Sequence, residues 1–231
     1  MTEAPAIILV HGFWGGAAHW SKVITTLARK GHSSLHAVEL PLTSLADDAE
    51  RTRKMIAQRA GPVLLVGHSY GGAVITEIGD QPNVVGLVYI AAFAPDSGES
   101  PGGITAKNPP KAASNLAPDS DGYLWIKPDK FHESFCQDLP ADEGLIMAVT
   151  QKAPLASTFA NEITTPAWKK KPSWYQISSD DRMIAPANQE WMSGRLGARK
   201  VITLKASHAS LASKPAEVSA LIDEAAAATT Q

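Results

Sequence analysis

Three short stretches of the chain are apolar without interruption: Ala6 to Val10 (AIILV), Val63 to Val66 (VLLV) and Val84 to Ile90 (VVGLVYI). Runs of this kind predict strands buried on both faces, the condition of a parallel sheet covered by helices. Weaker strand candidates lie at Ser34 to Val38, Ser173 to Ile177 and Lys200 to Leu204. Helices are predicted between them at roughly 17–30, 45–59, 71–79 and 187–196, with a last one near 214–228. For the last helix Ser213 is the expected N-cap and Pro215 falls in the first turn. Its apolar stripe is Val218, Leu221, Ile222 and Ala225. Strand and helix alternate, so the expected class is α/β, with a parallel sheet of about six strands and right-handed crossovers.

The rhythm breaks between about 95 and 172, where prolines and glycines crowd the chain: Pro95, Pro101, Pro109, Pro110, Pro118 and Pro128, with Gly98, Gly102, Gly103 and Gly122. Helix-compatible segments remain at Asp142 to Gln151 and Leu155 to Glu162. A gap of about 80 residues is too long for a crossover. It reads as a cap, residues 95–172, inserted after the fourth strand into a core built from 1–94 and 173–231.

Composition narrows the function. Lys plus Arg is 21 and Asp plus Glu 23, a net charge of -2 over 231 residues. That balance offers no footprint for nucleic acid or an acidic membrane. The one dense basic run, Lys169-Lys170-Lys171, reads as a solvated turn. A single cysteine, Cys136, excludes an intramolecular disulfide framework and a cysteine-rich metal site. The start, MTEAPAIILVHG, lacks the basic residue and long apolar stretch of a signal peptide, so a cytoplasmic protein is expected. A monomer or homodimer is expected.

The strongest chemical signal is Gly67-His68-Ser69-Tyr70-Gly71-Gly72, directly after VLLV and directly before Ala73-Val74-Ile75. It matches G-x-S-x-G in the context that pattern requires, a strand, a sharp turn and a helix. The turn holds Ser69 in a strained conformation above the sheet, and Gly67 and Gly71 lack the Cβ that would clash there. An inert serine in a glycine-rich turn is the competing reading, and the flanking strand and helix argue against it.

A second signal, His11-Gly12-Phe13-Trp14-Gly15-Gly16, also follows an apolar strand. Neither G-x-G-x-x-G nor G-x-x-x-x-G-K-[ST] is present, so a phosphate loop is excluded on detail. Acyl transfer needs donors aimed at a developing oxyanion, and the N–H groups of Phe13 and Tyr70 are the expected pair. His11 is expected to anchor the loop without reacting.

Ser69 needs a base, and the base a carboxylate. His208 follows the last predicted strand in Ala206-Ser207-His208-Ala209. Asp181, Asp96 and Asp180 are the candidate acids, in that order of preference: Asp180 and Asp181 follow the predicted fifth strand, Asp96 the fourth. Phe13, Ser69, Asp181 and His208 all fall at carboxyl ends of strands, where open α/β sheets bind ligands. Trp14, Leu124, Trp125 and Phe131 are candidates for lining an apolar substrate pocket, against the plainer reading of ordinary core.

The segments HGFWGGAAHW, GPVLLVGHSYGGAVITE, SSDDRMIAP and ASHASLASKPAEVSALI resemble the α/β-hydrolase superfamily. They look most like small bacterial esterase-like hydrolases, and more distantly like plant methylesterases and hydroxynitrile lyases. The resemblance covers nearly the whole chain outside the cap. It implies a Ser69–His208–Asp181 triad, with the acid in the Asp-Arg pair. Dehalogenases and epoxide hydrolases resembling this fold place Asp at the nucleophile position, where this chain has Ser69. Hydroxynitrile lyases carry Thr after the first-strand His and Lys after the catalytic His. Gly12 and Ala209 stand there instead, which disfavours cyanohydrin cleavage.

The expectation is therefore a serine hydrolase cleaving small or medium apolar carboxylic esters through an acyl-enzyme, with no metal and no organic cofactor. A lactonase, amidase or carbon–carbon hydrolase would use the same triad. A ligand receptor that keeps the triad but turns over slowly is the alternative from another class.

Overall fold

The computed structural model describes residues 4–230. Six strands form one sheet: β1 (Ala6–Val10), β2 (Leu35–Val38), β3 (Val63–His68) and β4 (Val84–Ile90), then β7 (Ser173–Ser178) and β8 (Lys200–Leu204). Their spatial order is β2-β1-β3-β4-β7-β8, and every pairing is parallel. The strands predicted from apolar runs are the central ones, and the weaker candidates include both edges, β2 and β8. An edge strand has one unpaired side and less area to bury, so its sequence is less apolar.

Helices α1 (Ser21–Arg29), α2 (Leu45–Ala57), α3 (Gly71–Ile78), α7 (Pro186–Arg195), α8 (Ser210–Ser213) and α9 (Pro215–Ala228) cover the sheet. Alternation along each strand sorts the core into two layers. Ile7, Leu9, Leu64, Val66, Val88 and Ile90 pack with Trp20, Val23 and Leu27 and with Val218, Leu221, Ile222 and Ala225 of α9. Ile8, Val10, Val63, Leu65, Leu87 and Tyr89 face the opposite way, onto α2, α3, α7 and the stretch between β4 and β7.

The α9 stripe is buried as its spacing predicts, but Ser213 does not cap the helix. Lys214 occupies the N-cap position with no side-chain cap bond, and Ser213 Oγ is buried without a partner. Ser213 is instead the last residue of α8, so Lys214 alone separates the two helices.

Between β4 and β7 lie α4 (Pro101–Lys107), the antiparallel hairpin β5 (Leu116–Pro118) and β6 (Leu124–Ile126), α5 (Phe131–Phe135) and α6 (Ala141–Val149). The hairpin was not legible in a proline-broken stretch. The helix-compatible segment at Leu155 to Glu162 forms only a 3-10 turn at Ala156–Ala160. No helix among the described residues is long and apolar enough to cross a membrane.

Candidate active site

β1 and β3 are neighbours, with Val10 opposite Gly67, but β1 also pairs with β2 and β3 with β4. The loops leaving β1 and β3 therefore part at the point where the strand order reverses, the place where open α/β sheets bind ligands. The His11–Gly16 loop and the Ser69 turn lie at that point.

Ser69 follows β3 with φ of 54°, in the left-handed region. For a non-glycine residue that costs about 1–3 kcal/mol, so the surroundings must hold it. They do so through the backbone. Its N–H donates to the Ile90 carbonyl at 3.2 Å, and its own carbonyl accepts from the Gly72 and Phe93 N–H groups, each at 3.0 Å. A Cβ on Gly71 would stand 2.3 Å from the Val10 carbonyl oxygen, so only glycine lets α3 start against β1. A Cβ on Gly12 would stand 2.5 Å from Ser69 Cβ and 2.9 Å from its Oγ. A threonine at position 12 would displace Ser69.

His11 anchors the first loop. Its Nε2 accepts the Leu40 N–H at 3.0 Å, which leaves the proton on Nδ1 to be donated to the Gly12 carbonyl at 2.8 Å. Burial pushes its pKa down and keeps the ring neutral. The Phe13 ring stacks on the Tyr70 ring at 3.9 Å between centroids and packs on Phe159 at 4.5 Å. Among the described residues neither the Phe13 N–H nor the Tyr70 N–H has a protein acceptor. Trp14, also left-handed with φ of 59°, donates its N–H to the Lys152 carbonyl and its indole N–H to the Leu124 carbonyl at 2.7 Å.

His208 and Asp181 come together from the ends of β8 and β7. His208 Nδ1 lies 2.7 Å from Asp181 Oδ2, with both side chains buried. The Asp181 carboxylate is fully engaged. Oδ1 accepts the N–H groups of Met183 at 2.7 Å and Ile184 at 2.9 Å, and Oδ2 also accepts from Gln189 Nε2 at 2.7 Å. The other ring nitrogen, His208 Nε2, is buried without a hydrogen-bond partner. His68 Nε2 donates to the His208 carbonyl at 2.8 Å, tying the end of β3 to the loop after β8.

The other acid candidates lie elsewhere. Asp96 pairs with Lys169 at 2.5 Å, and Asp180 is exposed, so neither reaches His208. Adjacent residues point in different directions, and the turn after β7 carries only Asp181 inward.

The pocket candidates divide. Trp14 and Leu124 meet through their hydrogen bond, and Phe131 is buried against Phe135 at 5.1 Å. Trp125 is separated from them: along β6 it alternates with Leu124 and Ile126, is 38% exposed, and donates its indole N–H to Asp119. Two rings pack on the imidazole: Phe135, edge-on to His208 at 4.9 Å, and His68 at 4.7 Å.

Sequence reasoning missed Gln189, His68, Phe135 and Phe159. His68 lies inside the G-x-S-x-G pattern, which assigns its position no role. The other three have no local signal. No group of metal-binding side chains occurs among the described residues.

Comparison with known proteins agrees with this architecture. The alpha/beta hydrolase family model matches residues 7–221. The chain is 29% identical to an alpha/beta hydrolase of Aspergillus novofumigatus, over 96% of each chain. It is 27% identical to methylesterase 8 of Arabidopsis thaliana, over 90% of this chain and 84% of that one. The structure of a pyrethroid hydrolase from Sphingobium faniae superposes with a TM-score of 0.80 at 22% identity, covering 97% of this chain and 98% of that chain. The sheet order, the turn after β3 and a family match across nearly the whole chain lead to one conclusion: this protein belongs to the alpha/beta hydrolase family.

Proposed function

We propose that the protein is a serine hydrolase that cleaves carboxylic esters through an acyl-enzyme. The observation that carries this reading is His208: one ring nitrogen is held by a fully engaged buried carboxylate, and the other is buried without a hydrogen-bond partner. A buried ring nitrogen without a partner costs stability, as expected of a base whose proton is supplied by Ser69 Oγ only during the reaction.

In the proposed cycle Ser69 Oγ attacks the ester carbonyl carbon and its proton passes to His208 Nε2. Asp181 holds Nδ1–H and supports the imidazolium charge. The N–H groups of Phe13 and Tyr70, which have no protein acceptor, receive the oxyanion. His208 then protonates the leaving alkoxide as the tetrahedral intermediate collapses to the acyl-enzyme. Water, deprotonated by the same ring, adds to the acyl carbon, and the second collapse releases the acid and returns the proton to Ser69.

The similarity to a protein named methylesterase supports an ester as the bond cleaved. Trp14, Leu124 and Phe131, with Phe135 and Phe159, make the surroundings of these loops apolar, which supports a small or medium apolar acyl or alcohol group.

The test is labelling by a fluorophosphonate together with turnover of p-nitrophenyl esters. Wild type should label and turn over, and Ser69→Ala should lose labelling and at least about 10³-fold in kcat. A folded wild type that resists the probe, or a Ser69→Ala variant that keeps its turnover, overturns the assignment.

A further inference from the structure

Asp48, in the first turn of α2, is a fully buried acid that the proposed cycle does not use. The nearby cation, Lys152, is taken by Glu39 at 3.2 Å and by the Leu40 carbonyl. A buried carboxylate without a paired cation is expensive, so its hydrogen bonds must hold it. It has two, and one leads to the site. Oδ2 accepts the Tyr70 hydroxyl at 2.7 Å, and Oδ1 accepts the Leu42 N–H at 2.8 Å. Leu42 is itself left-handed, with φ of 62°, and its carbonyl accepts the Leu155 N–H at 2.9 Å.

Tyr70 directly follows Ser69, and its ring is stacked on that of Phe13 with only 13° between the planes. The two residues whose N–H groups form the proposed oxyanion hole thus have their side chains locked to each other, and Asp48 holds the far end of that stack. We propose that Asp48 is a positioning residue of the oxyanion hole: by holding the Tyr70 hydroxyl it fixes the Phe13–Tyr70 stack and so the direction of both backbone donors. This rests on the reading of Ser69 as nucleophile. Burial, opposed by the Leu42 N–H and the Tyr70 hydroxyl, pushes the Asp48 pKa up to about 6, so the fold keeps this acid at an electrostatic cost. Oxyanion donors act only when aimed at where charge develops, so a small misdirection lowers kcat and leaves substrate binding alone.

The experiment measures kcat and KM for p-nitrophenyl acetate, per fluorophosphonate-titrated site (per mole of protein for Ser69→Ala, which should not label), alongside melting temperature. The variants are Tyr70→Phe, Asp48→Ala, their combination, Asp48→Asn and Ser69→Ala. Tyr70→Phe keeps the stacked ring and removes the tether. It and Asp48→Ala should each lower kcat about tenfold at unchanged KM, less than the roughly 10²–10³ for deleting a donor. The double variant should fall no further than either single variant, because both cut one link. Asparagine can still accept from Leu42 and bond the Tyr70 hydroxyl, so Asp48→Asn should keep most of kcat.

Wild-type kcat in Tyr70→Phe, multiplying losses in the double variant, or an Asp48→Asn loss equal to that of Asp48→Ala overturns the inference. If Asp48→Ala does not fold, Tyr70→Phe and Asp48→Asn still decide it. A Ser69→Ala variant with full turnover would instead overturn the nucleophile assignment. If Ser69→Ala is dead while the tether variants are normal, only the Asp48 role fails.

Discussion

Ser69 and Asp181 are both fixed within the fold, but by different means. Around Ser69 the restraint is backbone on backbone: its N–H and carbonyl are tied to Ile90, Gly72 and Phe93, and Gly71 abuts the Val10 carbonyl. Around Asp181 the restraint includes side chains, with Gln189 and His208 sharing one oxygen while two N–H groups take the other. Backbone contacts at glycine permit no side chain at all. Side-chain contacts permit graded loosening, because one bond can be lost while the others remain. The Ser69 turn should therefore fail abruptly under substitution and the Asp181 arm by degrees.

The largest effect is expected at the backbone side. Gly71→Ala places a Cβ against a carbonyl that belongs to β1, and neither partner can move without breaking the sheet. The expected cost is about 4 kcal/mol or more, seen as loss of soluble folded protein by circular dichroism. A folded, active Gly71→Ala protein would dissolve the contrast.

Next comes Asp181→Asn, which keeps the shape but mis-sets the imidazole tautomer. It should fold, and kcat should drop by about 10³–10⁴-fold in ester turnover. Retained turnover would move the acid role away from Asp181 and leave its hydrogen bonds structural.

His19 follows the first loop and faces Phe135, which packs on His208, at 5.9 Å. Its Nε2 is buried without a partner, and burial, with His11 nearby, pushes its pKa down to about 4. Between that value and the ordinary histidine value near 6.5, the unfolded chain binds a proton that the folded chain refuses. Stability from this residue is therefore complete above about pH 6.5 and is lost as pH falls toward 4, by at most about 3 kcal/mol. His19→Gln should lose less stability than wild type between pH 7 and 4.5, measured by urea midpoints. Parallel curves would show that the imidazole stays hydrated.

The smallest effect is expected at Gln189. Its Nε2 donates to Asp181 and its Oε1 accepts the Ser178 N–H, so it braces the carboxylate against β7. Gln189→Ala removes one of four bonds to Asp181 and should cost about tenfold in kcat, since removing a buried partner is worth about 1–3 kcal/mol. A loss as large as that of Asp181→Asn would mean that the arm fails as abruptly as the turn.

The same contrast explains what could be read from the chain. The Ser69 turn was legible because its physics is local: a buried strand, glycines at fixed offsets and a helix start lie within about a dozen residues. Asp181 was preferred as the acid, with Asp96 and Asp180 behind it as alternatives, because direction at a loop depends on what packs around it. Gln189, Phe135 and Asp48 were invisible as site residues, each made relevant by a neighbour far away in sequence. Trp125 was expected in the pocket and faces outward, since its side is set by the alternation along β6, a strand without a long apolar run to mark it.

The sequence by itself determined the alternation of strand and helix, the two core layers, the serine turn and the order of Ser69, Asp181 and His208 along the chain. These follow from periodicity and from backbone geometry that only certain residues tolerate, and both act over short separations. Tertiary structure alone decided which carboxylate meets His208, which aromatic ring lies against it, and that a buried acid on α2 holds the Tyr70 hydroxyl. Those are distances of a few ångströms between groups many residues apart, and only the closing of the sheet brings them into contact.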